Sequence, residues 1–189
     1  MKRILFVLLL LIGFAWQLHS AHAAEKVLVI YYSRTGNTRK VAERLEQRFN
    51  ADIERIIDQK KRIGPIAFVA AGKDALAGNL TEIAPLKVNP LDYDLILVGT
   101  PSWYSNMTPA VRTLLTQYDL SDKQVGVFAT AHLTGVETTV KKVAEFIQPD
   151  TPEAINQLPL YERDLDDEVL DEKIEKFYSL FKLQLNPDE

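Results

Sequence analysis

The strongest constraint on the fold is a run from Lys26 to Tyr32 in which Val, Leu, Ile and Tyr follow one another with no polar alternation from Val27 onward. Such a segment suits a strand buried on both faces of a parallel sheet. A helical pattern begins soon after, with Val41, Ala42, Leu45 and Phe49 on one side and Arg39, Lys40, Glu43, Arg44 and Glu46 on the other. Asp94 to Thr100 and Val125 to Thr130 are further buried-strand patterns, and each leads through a loop into a helical one. Ile53 to Ile57 is more polar and reads as an edge strand. Ile155 to Leu160 is the last strand pattern, limited by Pro159.

The helices carry their own start signals. Pro65 opens a pattern through Ile66, Phe68, Val69, Ala75 and Leu76, with Gly78 near its end, after a polar loop at Lys60 to Gly64. Thr108 is placed to cap a helix that has Pro109 in its first turn and Val111, Leu114 and Leu115 on its apolar side. A further helix is expected from Val136 to Ile147. The final stripe of Val169, Leu170, Ile174, Phe177, Tyr178 and Phe181 follows an acidic cluster at Asp164 to Glu168, which reads as capping rather than as metal ligands. Strand and helix alternate about five times, so the expected fold is α/β, a doubly wound five-stranded parallel sheet with right-handed crossovers. Neither an internal repeat nor a second domain is visible.

Residues 1–23 read differently from the rest. Lys2 and Arg3 precede an apolar run from Ile4 to Trp16, and Ala21-His22-Ala23 supplies small residues at a cleavage site. That layout is a signal peptide, leaving a mature domain over 24–189. The competing reading is an uncleaved anchor over residues 4–24, which would be the domain's only tie to a membrane. In either case the domain is expected to be exported, periplasmic in a bacterial cell. The sequence contains no Cys, which excludes disulfides, a thiolate nucleophile and an iron–sulfur cluster. The formal net charge is −4, and losing Lys2 and Arg3 makes it more negative, so nucleic acid is not an expected partner.

In a doubly wound sheet, ligands bind beyond the carboxyl ends of the strands. Three loops lie at such ends. Ser33, Arg34, Thr35, Gly36, Asn37 and Thr38 join the first strand to its helix, where hydroxyls and backbone N–H groups can converge on a phosphate. Ser and Thr bind phosphate oxygens without a cation, so this nest reads as largely neutral. The same residues also suit an ordinary capped turn. The segment lacks the Gly-Lys of a Walker loop and the three glycines of a dinucleotide fingerprint. In the second loop, Thr100, Pro101, Ser102, Trp103, Tyr104 and Asn106 include two flat aromatic rings, suited to a planar ligand or to local packing. The third loop has Thr130, His132 and Gly135.

The stretch from Val29 to Leu45, VIYYSRTGNTRKVAERL, resembles the phosphate-loop signature of the flavodoxin family along its whole length. Gly99 to Arg112, GTPSWYSNMTPAVR, is similar to the second flavin loop of flavodoxin-like oxidoreductases. The resemblance implies strand order 2-1-3-4-5, an order for which flavodoxin is itself a standard example. It also implies FMN as cofactor, with phosphate at Ser33 to Thr38 and the ring near Trp103 and Tyr104. Arg34 either meets the phosphate or points outward. The third loop departs from the family pattern, because His132 and a single glycine, Gly135, stand where many relatives have an aromatic or a Gly-rich run. No catalytic residue follows from the sequence, and His132 is the candidate for proton delivery.

The function implied is an FMN flavoprotein for electron transfer, or for reduction of a small quinone-type acceptor, in the cell envelope. Its partner would be a redox protein or a small-molecule acceptor. Lys2-Arg3 is not a twin-Arg signal, so the chain would cross the membrane unfolded and take up FMN afterwards. The alternative is a non-redox module on the same fold, binding a phosphorylated ligand or a partner protein.

Overall fold

A computed structural model describes residues 25–62 and 64–185 of the chain. The signal segment expected at residues 1–23 and the alternative anchor lie outside the described residues.

The sheet has five parallel strands, β1 (Val27–Tyr31), β2 (Asp52–Arg55), β3 (Leu95–Pro101), β4 (Gln124–Ala131) and β5 (Asn156–Tyr161). Their order is β2-β1-β3-β4-β5, as the resemblance implied. Interleaved are α1 (Asn37–Phe49), α2 (Pro65–Leu76), α3 (Pro109–Gln117), α4 (Val136–Ile147) and α5 (Asp167–Leu185).

Alternation along the strands divides the core in two. Leu28, Ile30, Ile96, Val98, Val125, Val127 and Ala129 face α3 and α4, with Ala71 and Ala75 of α2 joining the same cluster. Val27, Val29, Tyr31, Leu95, Leu97, Phe128, Leu158 and Leu160 face α1 and α5. Both faces are thus buried, which explains the absence of polar alternation in β1, β3 and the interior of β4.

β2 takes an edge, as its polar composition predicts. Its outer side is partly occupied by the segment before β3, where Ala84 N–H donates to Ile57 O at 2.9 Å. β5 takes the other edge, and Pro159 sits within it, paired with Ala129 of β4. A strand with a neighbour on one side tolerates the missing N–H.

Two capping expectations have different outcomes. Asp166 does cap α5, accepting the Glu168 N–H at 3.2 Å, while Asp167 turns to Lys40 and Arg44 of α1. Thr108 occupies the capping position of α3, yet its side chain makes no capping bond. Its N–H instead donates to the Thr100 hydroxyl at 3.2 Å, and the two hydroxyls lie 3.4 Å apart. The start of α3 is therefore pinned to the end of β3 by a buried Thr pair.

Candidate functional site

The loops after β1, β3 and β4 enclose a cleft of about 720 Å³ at the carboxyl end of the sheet. This is the switch point where the chain runs outward from β1 to β2 in one direction and to β3 in the other. The first loop lines it with Arg34, Thr35 and Asn37, the second with Pro101 to Ser105, and the third with Thr130, Ala131, His132 and Thr134. Gly72 of α2 and Glu162 after β5 complete the wall. The volume falls within the usual range for small-molecule clefts.

The first loop turns on Gly36, whose φ of +107° lies in the region that favours glycine. Its N–H donates to Ser33 Oγ at 3.2 Å, and its carbonyl accepts the Lys40 N–H at 2.9 Å, starting α1. A hollow of about 130 Å³ adjoins the loop, lined by Ser33, Arg34, Thr35, Gly36, Arg39 and Arg55. Arg55 reaches over from β2 to donate to the Ser33 carbonyl at 3.0 Å. The neighbourhood is thus strongly cationic, not the neutral nest that the hydroxyl-rich loop suggests. Arg34 belongs to the loop itself, while Arg39 and Arg55 come from the first turn of the helix and from the next strand. Thr38 is buried, and its hydroxyl is bound at 2.8 Å to that of Thr130. It ties the first loop to the third beneath the cleft.

The second loop is a tight turn. Trp103 N–H donates to Asn106 O at 2.9 Å, and Asn106 N–H returns to Trp103 O at 3.1 Å. Between them Tyr104 and Ser105 have φ of +53° and +55°, a pattern of positive φ normally left to Gly, Asn or Asp. Holding a Tyr there stores strain, which characteristically gathers at ligand clamps. The surroundings that enforce it are visible. Asn106 is buried, its amide donating to Ala75 O at 2.9 Å and its oxygen accepting the Met107 N–H and Arg112 Nη2. Lys142 of α4 donates to Ser105 O at 3.0 Å.

The turn sends its two aromatic rings in different directions. Trp103 is only 8% exposed, and Tyr32 meets it edge-on with ring centroids 5.7 Å apart. Burial, and after it the Asp58 carboxylate, pushes the Tyr32 phenol above its ordinary pKa, so that ring stays neutral. Tyr104 is 58% exposed and lies against α2 at Gly72, where a Cβ would come within 2.1 Å of its ring. Any larger residue at position 72 would displace it.

Ser102 and Gly135 face inward. The Ser102 hydroxyl lies 2.7 Å from that of Thr139 in α4, and its N–H donates to Thr130 O at 2.8 Å. Gly135 has φ of +84° and caps α4, packed so closely on Ser105 that a Cβ would meet Oγ at 2.2 Å. On the third loop His132 projects into solvent, and its Nδ1 pairs with the Glu162 carboxylate. The pair bridges the ends of β4 and β5. Beside it Tyr161 donates to Glu137 at 2.5 Å, joining the end of β5 to α4 and holding that carboxyl below its usual range.

The structure therefore brings Arg34, Thr35, Asn37, Pro101, Ser102, Trp103, Tyr104, Thr130 and His132 to one cleft, with Ser33 and Gly36 in the adjoining hollow. Thr38, Thr100, Asn106 and Gly135 lie behind it and hold the loops in place. Gly72, Ser105, Ala131, Thr134, Glu162, Arg39 and Arg55 also line one or other space, although sequence reasoning named none of them as site residues. Arg39 and Ser105 stand beside motif residues and were within reach of it. Gly72, Arg55 and Glu162 belong to elements with no motif of their own.

A family model described as flavodoxin matches residues 73–175, more than half of the chain. The fold is similar to that of a flavoprotein from Lactobacillus acidophilus NCFM crystallised in complex with FMN. That protein is 24% identical with a TM-score of 0.60, over 82% of this chain and 99% of the other. A Bacteroides uniformis protein put forward as a flavoprotein is 21% identical with a TM-score of 0.63, covering 81% of this chain and 99% of its own. Oxidised flavodoxin 2 from Bacillus cereus is 18% identical with a TM-score of 0.55, covering 84% and 99% respectively.

Proposed function

The chain belongs to the flavodoxin family, and from that premise we propose that the cleft binds FMN and that the protein passes electrons through it in the cell envelope. The observation that carries this reading is the meeting of three loops at the sheet's switch point, with one helix amino terminus beside one exposed aromatic ring. The residues present fit the group. Arg34, Thr35 and Asn37 provide donors where the α1 dipole is positive, and Arg39 and Arg55 add counter-charge for a dianionic phosphate. Pro101, Trp103, Tyr104 and Ala131 give the ring an apolar wall.

FMN, when bound, supplies both one-electron and hydride chemistry. The chain's own residues bind, orient and shield. Tyr104 offers the larger free ring face, and the buried turn beneath it holds that face in one place. Thr130 and Ser102 are engaged with other protein groups, so their hydroxyls fix the wall's shape instead of reaching for ligand. His132 stands at the mouth with Nδ1 held by Glu162, which leaves Nε2 as the nitrogen able to pass a proton to an acceptor. A small quinone-type molecule is the acceptor class that uses both electrons and protons.

Titration of the protein with FMN, followed by quenching of flavin fluorescence, tests the core of the reading. Saturable uptake at micromolar FMN is expected, and no uptake would reject it. Turnover of NAD(P)H with a soluble quinone separates an enzyme from a carrier, since a carrier shows negligible rate. In a bacterial host, fractionation should find the protein in the periplasm. Recovery from the cytosol alone would reject export.

A further inference from the structure

Arg62 belongs to the stretch between β2 and α2 that reads in sequence as a polar loop. Its side chain is nevertheless only 3% exposed. Nε donates to Asp58 at 2.6 Å and Nη1 to Asp74 of α2 at 2.9 Å, and the Asp58 side chain is itself 3% exposed. Asp58 is held in turn by the Thr81 hydroxyl at 2.8 Å. The remaining nitrogen, Nη2, is buried and has no hydrogen-bond partner among the described residues.

A buried guanidinium with an orphaned nitrogen is costly, and an electron-rich ring face is the compensation such a group can accept. One is at hand. The Arg62 guanidinium carbon lies 5.7 Å from the centroid of the Trp103 ring. That indole lines the cleft, and Tyr32 closes on it edge-first.

We infer that Arg62 is a positioning residue for the cofactor wall, holding Trp103 in place through a cation–π contact and thereby setting the affinity of the flavin ring. The inference rests on the FMN reading above. Asp58 and Asp74 fix the guanidinium, and the guanidinium fixes the indole. Because Asp74 sits in the same helix as Gly72, the network also holds the seat of Tyr104. The exposed Arg34 guanidinium carbon lies 6.0 Å from the same centroid, so two cations stand near the indole, and Arg62 is the buried one and does not line the hollow.

The test uses the full chain carrying W16F, in which all indole emission comes from Trp103. R62K keeps the charge but loses the planar fork, and R62M/D58N removes both partners of the buried pair so that no lone charge is left. In ligand-free protein both variants should shift and brighten or quench the Trp103 emission, because the cation has moved from the ring. Both should weaken riboflavin and FMN by the same factor, about tenfold, as expected for a desolvated cation–π contact. The FMN-to-riboflavin affinity ratio, which reports the phosphate side, should not change.

A purely structural staple would instead lower the melting temperature while leaving emission and both affinities at the parent values, and that result overturns the inference. A parent protein that takes up no flavin rejects the FMN reading and with it the effect on ring affinity. The emission of the ligand-free variants then decides separately whether Arg62 holds Trp103.

Discussion

Two groups of paired charges among the described residues differ in almost every physical respect. On the outer face, Lys40, Arg44 and Arg48 of α1 meet Asp167, Asp171 and Glu175 of α5 at 2.5 to 3.4 Å. Every one of these side chains is at least a third exposed. Beside the cleft, Asp58, Arg62 and Asp74 form a cluster sealed from water at its centre. Water and salt compete with the first network, and its members lose little when a partner goes. In the second, Arg62 and Asp58 are each only 3% exposed, so removing either one leaves the other buried without its charge partner. The outer network rests on a core that α1 and α5 already share, including Phe49 against Phe177, Tyr178 and Phe181. The inner one joins α2, whose Ala71 and Ala75 belong to the core, to the stretch that follows β2.

The contrast can be broken most sharply at Arg62. R62M alone leaves Asp58 buried without its cation and should cost about 3–5 kcal/mol of stability by chemical denaturation. A loss comparable to that of any outer-face pair would erase the distinction. G72V is the next largest. Its Cβ would occupy the position of the Tyr104 ring, so the second loop must shift, and FMN affinity should fall about tenfold or more, as for a misplaced aromatic anchor. Flavin fluorescence titration measures it. Affinity equal to that of the parent would remove Tyr104 from the ligand wall.

Falling pH should draw a large stability loss from the inner network through Asp74. Hydrogen bonds from Lys60, then Arg62 and Asn79, hold the Asp74 carboxyl well below the usual carboxylate range. A carboxyl depressed in the folded state stabilises the fold above its unfolded pKa, near about 4, and that contribution fades as pH falls toward the folded value. Thermal melts should therefore decline below about pH 4, with D74N starting lower and declining less. Equal pH slopes for D74N and parent would contradict this. The smallest effect belongs to the outer face. E175A removes the partner of Arg48 and should barely move the melting temperature, and about 1 M salt should abolish even that difference.

Much of the architecture was legible from local pattern. The unalternated runs at β1, β3 and β4 marked strands covered on both sides, and Val136 to Ile147 was read as a helix with the ends it has. The three loops were placed correctly at the carboxyl ends of strands, because each follows a buried strand and precedes a helix. The roles of single side chains within those loops were far less legible. Thr38 and Thr130 bind each other although they are 92 residues apart, and Ser102 pairs with Thr139 across 37. Arg62 offered one local sign of its fate, an Asp four positions before it, which its place after Lys60 and Lys61 in a polar loop hid.

The amino-acid sequence by itself determined the order of strands and helices, the double burial of the sheet and the three loops that would meet, since periodicity and glycine placement act within a few residues. Only the tertiary structure decided which hydroxyls turn away from the cleft, which aromatic ring is exposed, and that an arginine in a polar stretch is buried behind Trp103. Those outcomes follow from satisfying buried polar groups and filling space among segments distant in the chain, and no local pattern records which partners will be there.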